Sequence, residues 1–97
     1  MRARINQIPA DEEATWGAVL ATLLRTHPKD MESHWTAYRK DEPDAFSVID
    51  LKTPGEDVDE LRAEIDAVVD LVNRIADRDP LGKMVRADPG HVEVLVD

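Results

Sequence analysis

The side chains in this 97-residue sequence best equipped for chemistry are three histidines and 21 Asp and Glu, with no cysteine to act as nucleophile, thiolate ligand or disulfide half. Asp30 and His34 are four residues apart, with Glu32 and Ser33 between them and His27 just upstream. On a helix that spacing places an acid one turn from an imidazole, where it could orient a general base, or where His and carboxylates could gather a metal. Neither pattern is specific. Asp30 reads better as a helix cap, and no His-Glu-x-x-His spacing occurs. A small metal-independent enzyme using His34 with carboxylates is therefore an alternative reading only. His91, beside Pro89-Gly90, reads as a solvated turn residue, and Ser33 and Ser47 lack the setting of a nucleophile elbow.

Asp77 to Asp88 partly imitates a calcium loop, with Gly82 at the sixth position. Leu81 stands where the fifth position needs an oxygen, and the chain beyond reads as strand rather than helix. The four glycines are scattered, so neither a phosphate-binding loop nor a dinucleotide fingerprint exists. The expectation is no catalytic set, no metal and no cofactor.

Charge narrows the partners. Twelve Lys and Arg against 21 Asp and Glu give a formal charge of −9, which repels phosphate backbones and anionic lipid. Direct nucleic-acid binding and membrane association are not expected, and Arg2 and Arg4 look like two charges on a fraying end. A partner with a basic surface is attracted instead, because opposite fields speed association and fix orientation. No apolar run is long enough to span a bilayer and the first residues lack the apolar stretch of a secretory signal, so a cytoplasmic protein is expected.

These residues must be positioned by elements that the patterning predicts within a single domain, 1–97. Trp16, Val19, Leu20, Leu23 and Leu24 recur at helical spacing, with Asp11 as cap and His27-Pro28 as stop, giving a helix over 11–26. Asp30 before Met31, Trp35 and Tyr38 predicts a second, short helix near 31–40. Residues 46–51, Phe-Ser-Val-Ile-Asp-Leu, read as a strand. A long helix then starts at one of two caps, Thr53 or Asp57, and carries Val58, Leu61, Ile65, Val68, Val72 and Ile75 on one stripe that Val69 and Leu71 widen. Asp88-Pro89-Gly90, flanked by Lys83–Ala87 and His91–Val96, predicts a terminal hairpin with Val92, Val94 and Val96 pointing one way. Residues 3–8 add a further strand.

The fold class is thus α+β: two N-terminal helices, then a β-α-β-β unit whose long amphipathic helix packs on a small mixed or antiparallel sheet. A helix of that length overhangs short strands, so the first two helices or another chain must cover the excess.

Functionally this predicts a small acidic protein-binding module, such as an inhibitor, an immunity or antitoxin-type protein or an accessory subunit, docking on a basic surface. The partner-binding residues would be Glu56, Asp59, Glu60, Asp66 and Asp70 on the long helix, with Trp35 as aromatic anchor. Acids early and Arg74 and Arg78 late also suit the helix dipole, so a plain solvated face is the competing explanation. A structural homodimer, closed through helix 58–75 or a hairpin edge, is the other alternative.

Overall fold

The structure, a computed structural model, describes residues 1–26, 31–36, 46–54, 57–79, 81–82 and 84–95. Its elements are β1 (Arg2–Ile8), α1 (Glu13–Thr26), β2 (Glu32–Thr36), β3 (Ser47–Lys52), α2 (Val58–Asp77) and β4 (Val92–Leu95). Two helices and a four-stranded antiparallel sheet make the fold α+β. The strand order is β2-β3-β1-β4, with every neighbouring pair antiparallel. β1 is therefore parallel to β2 across β3, and β3 is parallel to β4 across β1. Each helix links the two parallel members of such a pair, the ferredoxin-like double split β-α-β arrangement.

β1 is central because it can bury one face between two partners. Ala3 and Ile5 are buried while Arg2 and Arg4 are exposed, the period-two alternation of a strand. Ile8 is an odd number of residues from Ile5 and in regular strand would face away from the core. The register shifts between them, so that Ile5 opposes Ile49 and Ile8 opposes Ser47. This bulge spends one extra residue at Asn6-Gln7 and returns Ile8 to the core side. Gln7 takes the left-handed conformation, φ 56°, and its N–H donates to Asn6 Oδ1 at 2.9 Å.

The helix expected over 11–26 is present, as a 3-10 turn at Ala10–Glu12 that runs into α1. Trp16, Val19 and Leu23 are fully buried on its stripe. Trp16 Nε1 lies in the core with no hydrogen-bond partner among the described residues.

The second helix expected near 31–40 is not what the chain forms. Glu32–Thr36 is strand β2, paired along its length with β3, and residues 37–40 lie outside the described residues. Three apolar residues at helical spacing cannot outweigh five that pair, since a short isolated helix is costly to nucleate. The strand expected over 46–51 is observed one residue later as β3.

Of the two caps considered for the long helix, Asp57 is the one used, accepting from Glu60 N–H at 3.1 Å. Leu61, Ile65, Val69 and Val72 are buried against the sheet, whereas Val58 and Val68 are half-buried at the margin. The expectation of one continuous apolar stripe fails at its end: Ile75, like Leu71 beside the stripe, is exposed. At about 100° per residue both fall outside the arc centred on Ile65 and Val72. Buried apolar side chains of β1, β3, β4 and both helices join one hydrophobic cluster, so the helices cover one sheet face.

The expected terminal hairpin is also corrected. β4 pairs with β1, and Met84–Asp88 is not strand; Lys83 and Val96 lie outside the described residues. Val92 is buried and Val94 half-buried, as their alternation predicts. The local turn at Asp88–Gly90 is real, a 3-10 turn at Pro89–His91 capped by Asp88, but its partner strand comes from the far end of the chain.

Side chains replace the missing ladder. Asn73 Nδ2 donates to Ala87 O at 2.9 Å and Asn73 Oδ1 accepts from Ala87 N–H at 2.7 Å. Thr15 Oγ1 donates to Val85 O, and Glu12 Oε1 accepts from Asp88 N–H at 2.8 Å. Asp79 accepts from Leu81 N–H and Met84 N–H, both at 3.1 Å. The connection from α2 to β4 is thereby fixed along one flank of α2, while α1 packs along α2 as well. Together they cover much of the helix that overhangs the short strands.

Candidate functional site

α2 carries the predicted acidic residues. Asp59, Glu60, Asp66 and Asp70 are all exposed, and Glu56 lies outside the described residues. Helical geometry places Asp59, Asp66 and Asp70 within a strip about 40° wide, together with Asp77, and leaves Glu60 on the opposite flank. The acids do not stand alone. Arg62 Nε is 3.4 Å from Asp66 Oδ1, Arg74 Nη2 is 2.9 Å from Asp70 Oδ2, and Arg86 pairs with Asp77. These arginines relieve the repulsion that the sequence puts between Asp66 and Asp70. The two pairs within the helix, Arg62–Asp66 and Arg74–Asp70, are exposed and contribute about 0–1 kcal/mol each. The Asp77 hydrogen bond, and then the Asp77 charge, raise the Arg86 guanidinium pKa above its ordinary value.

Two apolar residues that the patterning gives to the buried stripe of this helix lie outside the core. Leu71 and Ile75 are one turn apart and 52% and 56% exposed. Beside them Ala63 and Ala67 are exposed as well, so the outward side of α2 is low in its middle, with acids and arginines around it. The available signal was angular: Leu71 and Ile75 lie at the edge of a stripe wider than a single packed face requires. On the flank toward β4, a cleft of about 550 Å³ opens between α2 and the 86–89 segment, bordered by Arg62, Asp66, Asp70, Asn73, Arg86 and Pro89.

Trp35 is not part of this surface. It lies on β2, half-buried, and its ring stands 3.5 Å from where a Cβ on Gly17 of α1 would be. The glycine gives the indole room to close that end of the core, which makes Trp35 a packing residue rather than an exposed anchor.

The sheet face opposite the helices holds the histidine of the catalytic alternative. His34, Asp50, Arg4 and Glu93 oppose one another in a row across all four strands, and Glu32, Lys52, Arg2 and Leu95 form the next row. Arg4 Nε donates to Asp50 Oδ1 at 2.8 Å. The carboxylate facing His34 in register thus serves an ion pair. Asp30 lies outside the described residues, and with His34 on a strand the one-turn pairing of those two residues has no basis. A shallow concavity of about 310 Å³ on this face is lined by Arg2, Arg4, Glu32, His34, Asp50 and Lys52.

The remaining titratable cluster supports the backbone. Glu12, 8% exposed, holds Asp88 N–H with one oxygen, and its other oxygen is 3.6 Å from His91 Nε2. His91 is thus half-buried against an acid, not a solvated turn residue as expected. The aspartates of the calcium-like run are used locally: Asp77 on Arg86, Asp79 on two amides, Asp88 on Gly90 N–H. Among the described residues no three His, Asp or Glu converge where they could hold a metal ion. No helix among them is long and apolar enough to cross a membrane.

Compared with known protein families, curated proteins and solved structures, the chain matches none, and a fold of this kind hosts many unrelated activities, so its function has to be read from its own surfaces.

Proposed function

We propose that this chain is a small acidic protein-binding module that docks the outward face of α2 on a partner with a basic surface, in the manner of an inhibitor, an immunity or antitoxin-type protein or an accessory subunit. The observation that carries this reading is the exposure of Leu71 and Ile75 amid charged residues. Interfaces combine an apolar centre that excludes water with a polar rim, and the centre supplies most of the affinity. Here Leu71 and Ile75 are the centre, Glu60, Arg74 and Arg78 border them on that side of the helix, and Ala63 and Ala67 allow close approach. The strip of Asp59, Asp66 and Asp70, about 100–180° round the helix, adds negative field rather than contact.

The net charge of −9 selects the partner's sign. A second copy of this chain would bring the same net negative charge against itself, which opposes association, whereas a basic surface gains both rate and orientation. The heterologous partner is therefore preferred over the homodimer.

The test is capture from the source extract on immobilised wild type, L71S/I75S and an A21S control on the exposed side of α1. The wild type and the control retain the same basic protein, weakly at high salt, and the double variant loses at least tenfold, the effect of removing one strong contact. Equal retention by all three, or retention indifferent to salt, would overturn the reading.

A further inference from the structure

The two edges of the sheet are not equally guarded. Met1 and Thr53 exchange both of their main-chain hydrogen bonds, Met1 N to Thr53 O at 3.0 Å and Thr53 N–H to Met1 O at 3.1 Å. In an antiparallel ladder such bonded pairs alternate with unbonded ones, so this pair sets the direction of the main-chain groups across the sheet. Ala3–Leu51 and Ile5–Ile49 are bonded pairs between β1 and β3, and on the other side of β3 the bonded pairs are Glu32–Lys52, His34–Asp50 and Thr36–Val48. Ser33 and Trp35 therefore turn their N–H and C=O groups outward along the edge of β2. By the same count Val92 and Val94 turn outward on β4.

At β4 the edge is partly closed, because Arg62 Nη1 donates to Val92 O at 3.0 Å. At β2 no such guard is present among the described residues. The strand runs five residues in unbroken register with β3, contains neither proline nor lysine, and is exposed along its length except at half-buried Trp35. Proteins ordinarily blunt an edge with those residues, with a bulge or with a cover, because a flat open edge is a template for another strand.

We infer that β2 pairs with β2 of a second copy of this chain, antiparallel about a two-fold axis at His34, so that the two sheets become one. This register overlaps all five residues of both strands. It sets Ser33 of each copy against Trp35 of the other as bonded pairs, each exchanging both of its hydrogen bonds. Glu32 of each copy opposes Thr36 of the other and lies diagonal to the other His34, so no two carboxylates meet directly. The acids that oppose self-association through α2 are on the other side of the sheet. On the uncovered face Arg2, Arg4 and Lys52 balance Glu32, Asp50 and Glu93. The long-range repulsion that remains is screened at physiological salt, where the Debye length is about 8 Å. A two-fold contact closes on itself, and this one leaves the outward face of α2 open to its own partner.

Sedimentation equilibrium of the full chain from micromolar to millimolar concentration, with hydrogen exchange over the same range, tests this directly. A monomer–dimer equilibrium is expected, with protection at the Ser33 and Trp35 amides rising with concentration and that at Val94 unchanged. Ser33→Pro removes an outward N–H that the monomer does not use, at a position where an edge strand tolerates proline. It weakens the dimer about thirtyfold, the loss of two hydrogen bonds per dimer. Thr36→Lys sets a cation against Glu32 of the other copy and tightens the dimer about fivefold, whereas Thr36→Glu weakens it by about the same factor. A general disturbance of the strand would not change sign with the charge. A chain that stays monomeric throughout, a dimer indifferent to S33P, or T36K and T36E acting in the same direction would overturn the inference. L71S/I75S dimerises as the wild type does, which separates this result from the fate of the docking surface.

Discussion

Replacing Asn73 with Ala gives the sharpest test of how the connection between α2 and β4 is held. Asn73 and Ala87 are 4% and 2% exposed, and one side-chain amide satisfies both the N–H and the C=O of Ala87. The truncation strips two buried backbone groups of their partners, each worth about 1–3 kcal/mol when left unsatisfied. The cleft beside Asn73 admits some water, which favours the lower half of that range and gives a total of about 2–4 kcal/mol. Against a typical domain stability of about 5–15 kcal/mol this is a large fraction. For a chain of this length it lowers Tm by about 10–25 °C. Thermal melts followed by circular dichroism measure the loss, and hydrogen exchange at the Ala87 amide locates it, with protection falling about a hundredfold. A Tm within about 3 °C of wild type, with Ala87 protection intact, would refute the reasoning that side-chain clamps replace a strand here.

Three further substitutions probe other parts of the account. Asp57→Ala removes the side chain that caps α2 through Glu60 N–H and should cost about 1 kcal/mol in urea unfolding, with a cost near zero showing that the helix starts elsewhere. Gly17→Ala should stabilise by about 0.5–1 kcal/mol, because Gly17 lies inside α1 and an added Cβ meets the Trp35 ring at 3.5 Å, ordinary contact distance; destabilisation would show that the indole sits closer. Arg74→Ala should change stability by less than about 0.5 kcal/mol, since both members of its pair with Asp70 are largely in solvent, and a larger loss would mean the pair does more than rim chemistry.

How far the sequence could be read depended on whether a residue's partners were local. The extents of α1 and α2 follow from period, but only α2 uses a cap read from the sequence. Asp11, expected to cap α1, lies inside the 3-10 turn, whose N-cap Pro9 has no side-chain cap hydrogen bond, whereas Asp57 was one of two caps in view because both satisfy the same local rule. β2 was misread because Met31, Trp35 and Tyr38 fit a helical face, while the alternation that identifies the strand is almost invisible on an edge where Glu32, Ser33, His34 and Thr36 are all exposed. The hairpin at Asp88–Gly90 failed for a different reason. Its turn chemistry was correct, but β4 found β1, nearly ninety residues away, and no local pattern encodes that choice. The same placement turned Arg2 and Arg4 from end charges into neighbours of Lys52. On α2, Asp59, Asp66 and Asp70 were legible as exposed acids. Leu71 and Ile75 were assigned to the core, because the width of an apolar stripe does not say how much of it the sheet and α1 cover.

The most direct measurement of the central claim is site-specific photo-crosslinking in the source cells, with the reactive side chain placed at position 71 on α2, at position 21 on α1, or at position 34 on the uncovered sheet face. The account predicts one heterologous adduct, with a basic protein, from position 71 alone. An adduct of twice the chain's own mass from position 71, or a heterologous adduct only from position 21 or 34, would contradict it.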